Sequence, residues 1–245
     1  MSSLLTRLRR HLSRCLLSLC LTATLLLLML VVLLGSASLA RAEGLGYDRT
    51  RLILTEDDAN ASVLIKNDTA QAYLIRPQLM DEQEHPAPEA AVRPPLMKLV
   101  PQHAARLRLA LDKSRLPQDR ETLFWLVSHA FPAIAADASA QRLNFNFVLK
   151  MKVLYRPAPL TGNTSQAAAK LVWYSKRDKL AVRNDSPYHV TIAGMRVNGK
   201  AVDSSLLLAP FSETPTTLTA TPRAHLQWLI FNDDGTLESY RGSLD

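Results

Sequence analysis

The stretch Leu143-Asn144-Phe145-Asn146-Phe147-Val148-Leu149-Lys150-Met151-Lys152-Val153-Leu154-Tyr155 decides the fold. It is the longest strand candidate in the chain. Alternate residues of a strand point to opposite faces. The odd positions Leu143, Phe145, Phe147, Leu149 and Met151 form one apolar face, and Asn144, Asn146, Val148 and Lys150 lie on the other. The plain reading is that the odd face enters this domain's own core. Two features cut against it. Val148 interrupts the polar face, and the segment runs into the basic pair Lys150 and Lys152. A long strand with a large apolar face and a basic end suits an edge that pairs with another chain. Such an edge is an aggregation hazard without a partner, and strand addition is a recognised mode of binding.

Short alternating runs recur on both sides of this strand. Before it lie Arg51–Thr55, Ser62–Lys66, Ala72–Leu79, Leu96–Val100, Arg106–Leu111 and Thr122–Ser128. Asp81–Glu89 is polar and Pro-rich, and Ala133–Ala140 reads as a loop or one helical turn. After it, Arg156–Asn163 holds two prolines and a glycine and marks a linker. Beyond lie Leu171–Tyr174, Leu180–Asn184, His189–Val197, Leu206–Leu208, Thr216–Thr219, Ala224–Phe231 and Leu237–Tyr240. Asn198-Gly199 and Asp234-Gly235 are hairpin-turn dipeptides. No segment after Glu43 carries a long 3.6-residue apolar period. This spacing predicts an all-β protein of two sandwich domains, residues 43–158 and 159–245.

Residues 1–42 stand apart. Arg7, Arg9, Arg10 and Arg14 precede an apolar run from Cys15 to Leu34, followed by small residues and Ala40-Arg41-Ala42. This is the layout of a secretory signal peptide. Cleavage is expected after Ala42 or Ala40. A run of roughly 20 apolar residues also spans a bilayer, so a retained anchor is the rival reading. Either way the arginines stay cytoplasmic and residues 43–245 cross the membrane.

The leader changes the composition. The whole chain of 245 residues has 29 Lys and Arg against 22 Asp and Glu, a net charge of +7. Taking away the leader's five arginines leaves 24 against 22, or +2, which gives no reason to expect nucleic acid as a partner. Cys15 and Cys20 also lie in the leader. The mature chain therefore has no disulfide, no thiol chemistry and no cysteine metal site.

No catalytic pattern emerges. GxSxG, a Gly-rich phosphate loop and HExxH are absent. His85, His103, His129, His189 and His225 are not at metal-ligand spacing and read as surface or satisfied residues. Asp57-Asp58 and Asp233-Asp234 sit beside turn residues, which explains them without catalysis. No catalytic residue, metal or cofactor is expected.

Seven segments, in order, resemble the periplasmic pilus chaperones of the chaperone–usher pathway. They are Tyr47–Leu54 with its Thr50-Arg51 pair, Arg93-Pro94-Pro95-Leu96, Leu116-Pro117-Gln118-Asp119-Arg120-Glu121-Thr122-Leu123-Phe124-Trp125, Met151-Lys152-Val153-Leu154-Tyr155-Arg156-Pro157, Asn184-Asp185-Ser186-Pro187-Tyr188-His189-Val190, Pro210-Phe211-Ser212 and Asn232-Asp233-Asp234-Gly235. The resemblance implies two immunoglobulin-like β-sandwich domains in an L or boomerang arrangement. It implies a chaperone that binds, folds and caps fimbrial subunits by donor-strand complementation and delivers them to an outer-membrane usher. Leu143, Phe145 and Phe147 are then the lent residues, with Leu149 as an extension. The two phenylalanines depart from the family's usual Leu, Ile or Val and imply wider or differently shaped client pockets. Arg51 and Lys152 map to the cations that anchor the subunit's C-terminal carboxylate. Glu121, Arg156 and Asp233 map to an interdomain ionic network, read as structural. The short Ala130–Gln141 connection and the absent cysteines resemble the short-loop branch that builds rod-like pili. The exposed strand also allows self-association. The alternatives are a secreted structural β-sandwich, such as a fimbrial subunit or adhesin module, and a periplasmic hydrolase whose site assembles only in space.

Overall fold

A computed structural model describes residues 23–29, 44–58, 61–133, 146–203 and 205–244. The chain divides into two compact units, Met1–Ala42 and Glu43–Asp245. Of the first unit, residues 23–29 are described and are helical and exposed. The second unit is built almost entirely of strands.

Its first half runs through β1 (Leu45–Tyr47), β2 (Arg51–Thr55), β3 (Ala61–Asn67), β4 (Tyr73–Met80), β5 (Ala90–Arg93), β6 (Met97–Leu99), β7 (His103–Leu111), β8 (Thr122–Pro132) and β9 (Phe147–Arg156). These make two sheets, ordered β1-β3-β7-β5 and β2-β9-β8-β4-β6. Strict alternation explains the pairing of the layers. β3 buries Ala61, Val63 and Ile65, β4 buries Tyr73, Ile75, Pro77 and Leu79, and the intervening residues are more exposed. The buried sets meet in one core with Leu107, Phe124, Leu126, Val153 and Tyr155. Between β1 and β2 the chain switches sheets. It leaves β3 and runs parallel to β9, with Arg51 opposite Lys152.

The second half contains β10 (Val172–Lys176), β11 (Lys179–Asn184), β12 (Val190–Val197), β13 (Lys200–Val202), β14 (Leu206–Leu208), β15 (Ser212–Thr219), β16 (His225–Phe231) and β17 (Leu237–Ser243). One sheet is β10-β11-β15. The other is β13-β12-β16-β17, with β14 also on β12. Their core is separate and centres on Leu180, Val182, Val190, Ile192, Trp228 and Ile230. Two cores under four sheets make two immunoglobulin-like sandwiches.

Several expectations need adjustment. β1, β5 and β13 are not among the strands expected from the sequence, because these short runs mix small or polar residues with few apolar ones and display no period. The linker leads straight into a six-residue helix, Thr164–Ala169, capped by Asn163, whose Oδ1 accepts the Gln166 amide at 2.9 Å. Asn198-Gly199 forms the expected tight turn, both residues having positive φ (50° and 78°) between paired Val197 and Lys200. Arg177-Asp178 makes the same kind of turn without glycine, at φ 52° and 61°.

Candidate functional site

The site lies where β2, β8 and β9 of the first sandwich approach β12 and β16 of the second. The parallel register sets Arg51 beside Lys152. Arg51 Nη1 donates to the carbonyl oxygens of Phe231 and Asn232, each at 3.1 Å. Its Nε is buried and has no hydrogen-bond partner among the described residues. Lys152 Nζ donates to Thr191 Oγ1 at 2.7 Å. Each cation is therefore carried by the first sandwich and steadied by the second.

Burial and the positive charge of Arg51 lower the Lys152 ammonium to about 8. Burial likewise lowers Arg51, partly offset by Asp233 and Glu121. Two like charges side by side, partly out of water, favour an anion between them. Around them lies a cavity of about 310 Å³, lined by Trp125, Met151, Thr191, Phe231 and Lys150 but by no described acidic side chain.

β9 leads away from this cleft, and its odd face changes environment along its length. Met151 and Val153 are buried in the first sandwich's own core. Leu149 is half-buried against that core. Phe147 is 44% exposed and Val148 58% exposed. Phe147 packs edge-on to the buried Tyr73, with ring centroids 5.9 Å apart, and leaves nearly half of itself exposed. The plain reading of the odd face thus holds at the end near the cleft and fails at Phe147. Leu143 and Phe145 lie outside the described residues, as does most of the connection after Ala133.

Glu121, Arg156 and Asp233 are brought together. Arg156 Nε donates to Glu121 Oε1 at 2.7 Å, and its two Nη atoms donate to the two Asp233 oxygens at 2.6 Å each. Thr164 Oγ1 donates to Asp233 Oδ1 at 2.7 Å, and the Arg156 guanidinium sits 5.0 Å from the Tyr188 ring centroid. Glu121 is 1% exposed. Its Oε2 accepts the His189 backbone amide at 2.8 Å and meets His189 Nδ1 at 3.0 Å. Burial opposes the bonds to Asp233 and the pull of Glu121 on Arg156, but the carboxylates win and Arg156 is held more firmly protonated than usual. Asp233 moves the opposite way: burial opposes ionisation, and Arg156 and Thr164 outweigh it, lowering the carboxyl.

His189, Thr164 and Tyr188 belong to this network and were not singled out by sequence reasoning. His189 is buried with Nδ1 on Glu121, while its Nε2 has no hydrogen-bond partner among the described residues, and a single histidine gives no spacing signal. Thr191, Phe231 and Trp125 in the cleft were missed for a related reason. They arrive from three strands far apart in sequence, and each resembles ordinary strand residues. Among the described residues, no group of three or more His, Cys, Asp or Glu side chains is placed to hold a metal ion.

Known proteins share the two-domain architecture. A family described as pili and flagellar-assembly chaperone, PapD N-terminal domain, matches residues 44–161, and its pili assembly chaperone PapD C-terminal counterpart matches residues 166–242. The chain is 30% identical over 200 residues to the uncharacterized fimbrial chaperone YcbF of Escherichia coli, covering 78% of this chain and 84% of that one. It is 29% identical over 198 residues to the probable fimbrial chaperone protein ElfD of Escherichia coli, covering 79% and 84% respectively. The crystal structure of the E. coli chaperone DraB superimposes with a TM-score of 0.72 at 25% identity, over 84% of this chain and 98% of that one. A chain in the Salmonella enterica SafA pilin–SafB chaperone complex gives a TM-score of 0.75 at 22% identity, over 84% and 98%, and supports the fold alone.

Proposed function

We infer the function from one premise: the chain belongs to the family of PapD-type pilus-assembly chaperones. It is a periplasmic chaperone that binds, folds and caps fimbrial subunits by donor-strand complementation and hands them to an outer-membrane usher. Residues 1–42 are the signal peptide, 43–158 the chaperone domain with the donor strand, and 159–245 the second immunoglobulin-like domain. The work is done by binding and strand exchange rather than by catalysis, and it needs neither nucleotide nor metal.

One observation carries the reading most strongly. Arg51 and Lys152 stand side by side in a cleft lined by no acidic side chain among the described residues, at the inner end of a strand that is exposed at Phe147 and Val148. A subunit's terminal carboxylate accepts charge-assisted bonds from both cations, roughly twice as strong as neutral ones. That contact sets the register in which Phe147, and before it Phe145 and Leu143, enter the client's groove. Each such side chain contributes about 1.5–3 kcal/mol on burial before ordering is counted. Main-chain pairing adds affinity that does not depend on client sequence. Glu121, Arg156 and Asp233 hold the two sandwiches at a fixed angle, so that the cleft exists before the client arrives. The exposed start of β9 also supports self-association of the free protein, which a client would displace.

Co-expression with candidate fimbrial subunits, followed by a periplasmic pull-down, tests this. The wild type is expected to yield one-to-one complexes, and Arg51→Ala and Lys152→Ala none. Capture by both variants at the wild-type level would remove the anchor from the mechanism.

A further inference from the structure

The cleft behind the two cations is larger and more apolar than a carboxylate requires. A carboxylate uses the Arg51 and Lys152 donors and little else of a cavity of about 310 Å³. What remains is flanked by the rings of Trp125 from β8 and Phe231 from β16. Phe231 is 38% exposed, a large apolar ring facing solvent at the rim of an otherwise built site.

The charges indicate where a ligand would lie. Arg51 Nη1 is committed to two backbone carbonyls, and the guanidinium carbon is 5.7 Å from the Phe231 ring centroid. The buried Nε, without a hydrogen-bond partner among the described residues, leaves this group short of an acceptor. Lys152 Nζ lies 5.8 Å from the Trp125 centroid. An acceptor bridging Arg51 and Lys152 is thus flanked by an aromatic ring on each side. The third cation is already balanced: Lys150 Nζ sits 4.0 Å from the Trp125 centroid and pairs with Glu84 at 2.5 Å.

We propose that this cleft reads the last side chain of the client, taking a chain-terminal residue with a free α-carboxylate and a large apolar side chain, with Trp125 and Phe231 as the specificity-determining residues. The inference rests on the carboxylate-anchor reading and adds the residue class to it. A terminal glycine leaves Phe231 and Trp125 wet. A terminal lysine or arginine brings a cation to three others. A terminal acid must shed its water against apolar walls, with Lys150 already paired. A terminal tyrosine, phenylalanine or leucine covers the rings and adds offset or edge-on aromatic contact. Burial of one such side chain corresponds to roughly ten-fold to hundred-fold in affinity over glycine.

The probes are synthetic Gly-Ser octapeptides ending in Tyr, Leu, Gly, Asp or Lys, each as free acid and as amide. They are titrated by NMR shift changes into protein purified from the periplasm. The Tyr and Leu acids are expected to bind at least about ten-fold tighter than the Gly acid. Amidation should weaken every peptide. Phe231→Ser should erase the Tyr-over-Gly preference while keeping the dependence on the free carboxylate, and Phe231→Leu should retain much of the preference. Carboxylate-dependent binding that is equal for Tyr and Gly overturns the side-chain reading and leaves the anchor standing. Tightest binding by the Asp acid replaces it with a charge-reading cleft. Amides that bind as well as acids, or acids that do not bind, overturn the anchor and the inference with it.

Discussion

Lys152 is held at a disadvantage in the free protein. Burial and the neighbouring Arg51 lower its ammonium to about 8. The folded state therefore holds this proton less tightly than the unfolded chain does. Its stability contribution is full above the unfolded value of 10.5, and is lost as pH falls through about 8. Near neutral pH the protein keeps a desolvated charge that a client carboxylate would compensate. Lys152→Met is accordingly expected to raise the melting temperature near pH 7 by a few degrees, about 2–4 °C. The gain should vanish at high pH, and client capture should be lost. Calorimetry across pH, with the pull-down alongside, checks both halves. A variant that neither gains stability nor loses capture would show Lys152 to be an ordinary solvated strand charge. The pair Arg51 and Lys152 was legible in the sequence only through the segments around it. Nothing local announces a cleft, because Thr191 and Phe231 are supplied by the other sandwich, 39 and 180 residues away from their partners.

At the scale of elements, β9 serves two structures. Its inner half is a core strand, with Met151 and Val153 buried between sheets, and its start is exposed at Phe147 and Val148. Substitutions along one face should therefore separate by position. Met151→Ala is expected to destabilise the first sandwich by about 2–5 kcal/mol, the usual penalty for emptying a buried site. Phe147→Glu should leave the denaturation midpoint nearly unchanged and abolish capture. Urea denaturation gives the first readout and the periplasmic pull-down the second. Intact capture by folded Phe147→Glu would exclude Phe147 from the donor set. The alternation of β9, and with it most of the fold, is visible in the sequence because strands of seven to eleven residues repeat their period several times. β1 and β5, at three and four residues, and the glycine-free turn at Arg177-Asp178 are not visible, since their conformation is imposed by neighbours.

At the scale of the whole molecule, two separate cores are joined through one buried ionic network, and its weak link titrates. Arg156 joins Glu121 of the first sandwich to Asp233 of the second. Arg156→Ala strands Glu121, which is 1% exposed, and is expected to cost about 3–5 kcal/mol. His189 sits on the other side of Glu121, with Nε2 3.9 Å from Glu82 Oε1. The groups facing it are Glu121 and Glu82, while Arg156 competes for Glu121. Burial lowers the His189 imidazole, but its hydrogen bond to Glu121 and its attraction to Glu121 and Glu82 outweigh this and raise it above 6.5. A histidine raised on folding contributes stability that is fully present below the unfolded value of 6.5, and that stability is lost as pH rises through the folded one. The junction between the sandwiches should thus be tighter in acid. Urea midpoints measured at about pH 6 and about pH 8.5 in a Lys152→Met background, free of the opposing Lys152 titration, are expected to fall with rising pH. In the same background with His189→Asn, which keeps a donor toward Glu121 but does not titrate, the two midpoints should converge. An equal fall in both proteins would assign the pH dependence elsewhere and leave His189 as a neutral spacer in the network.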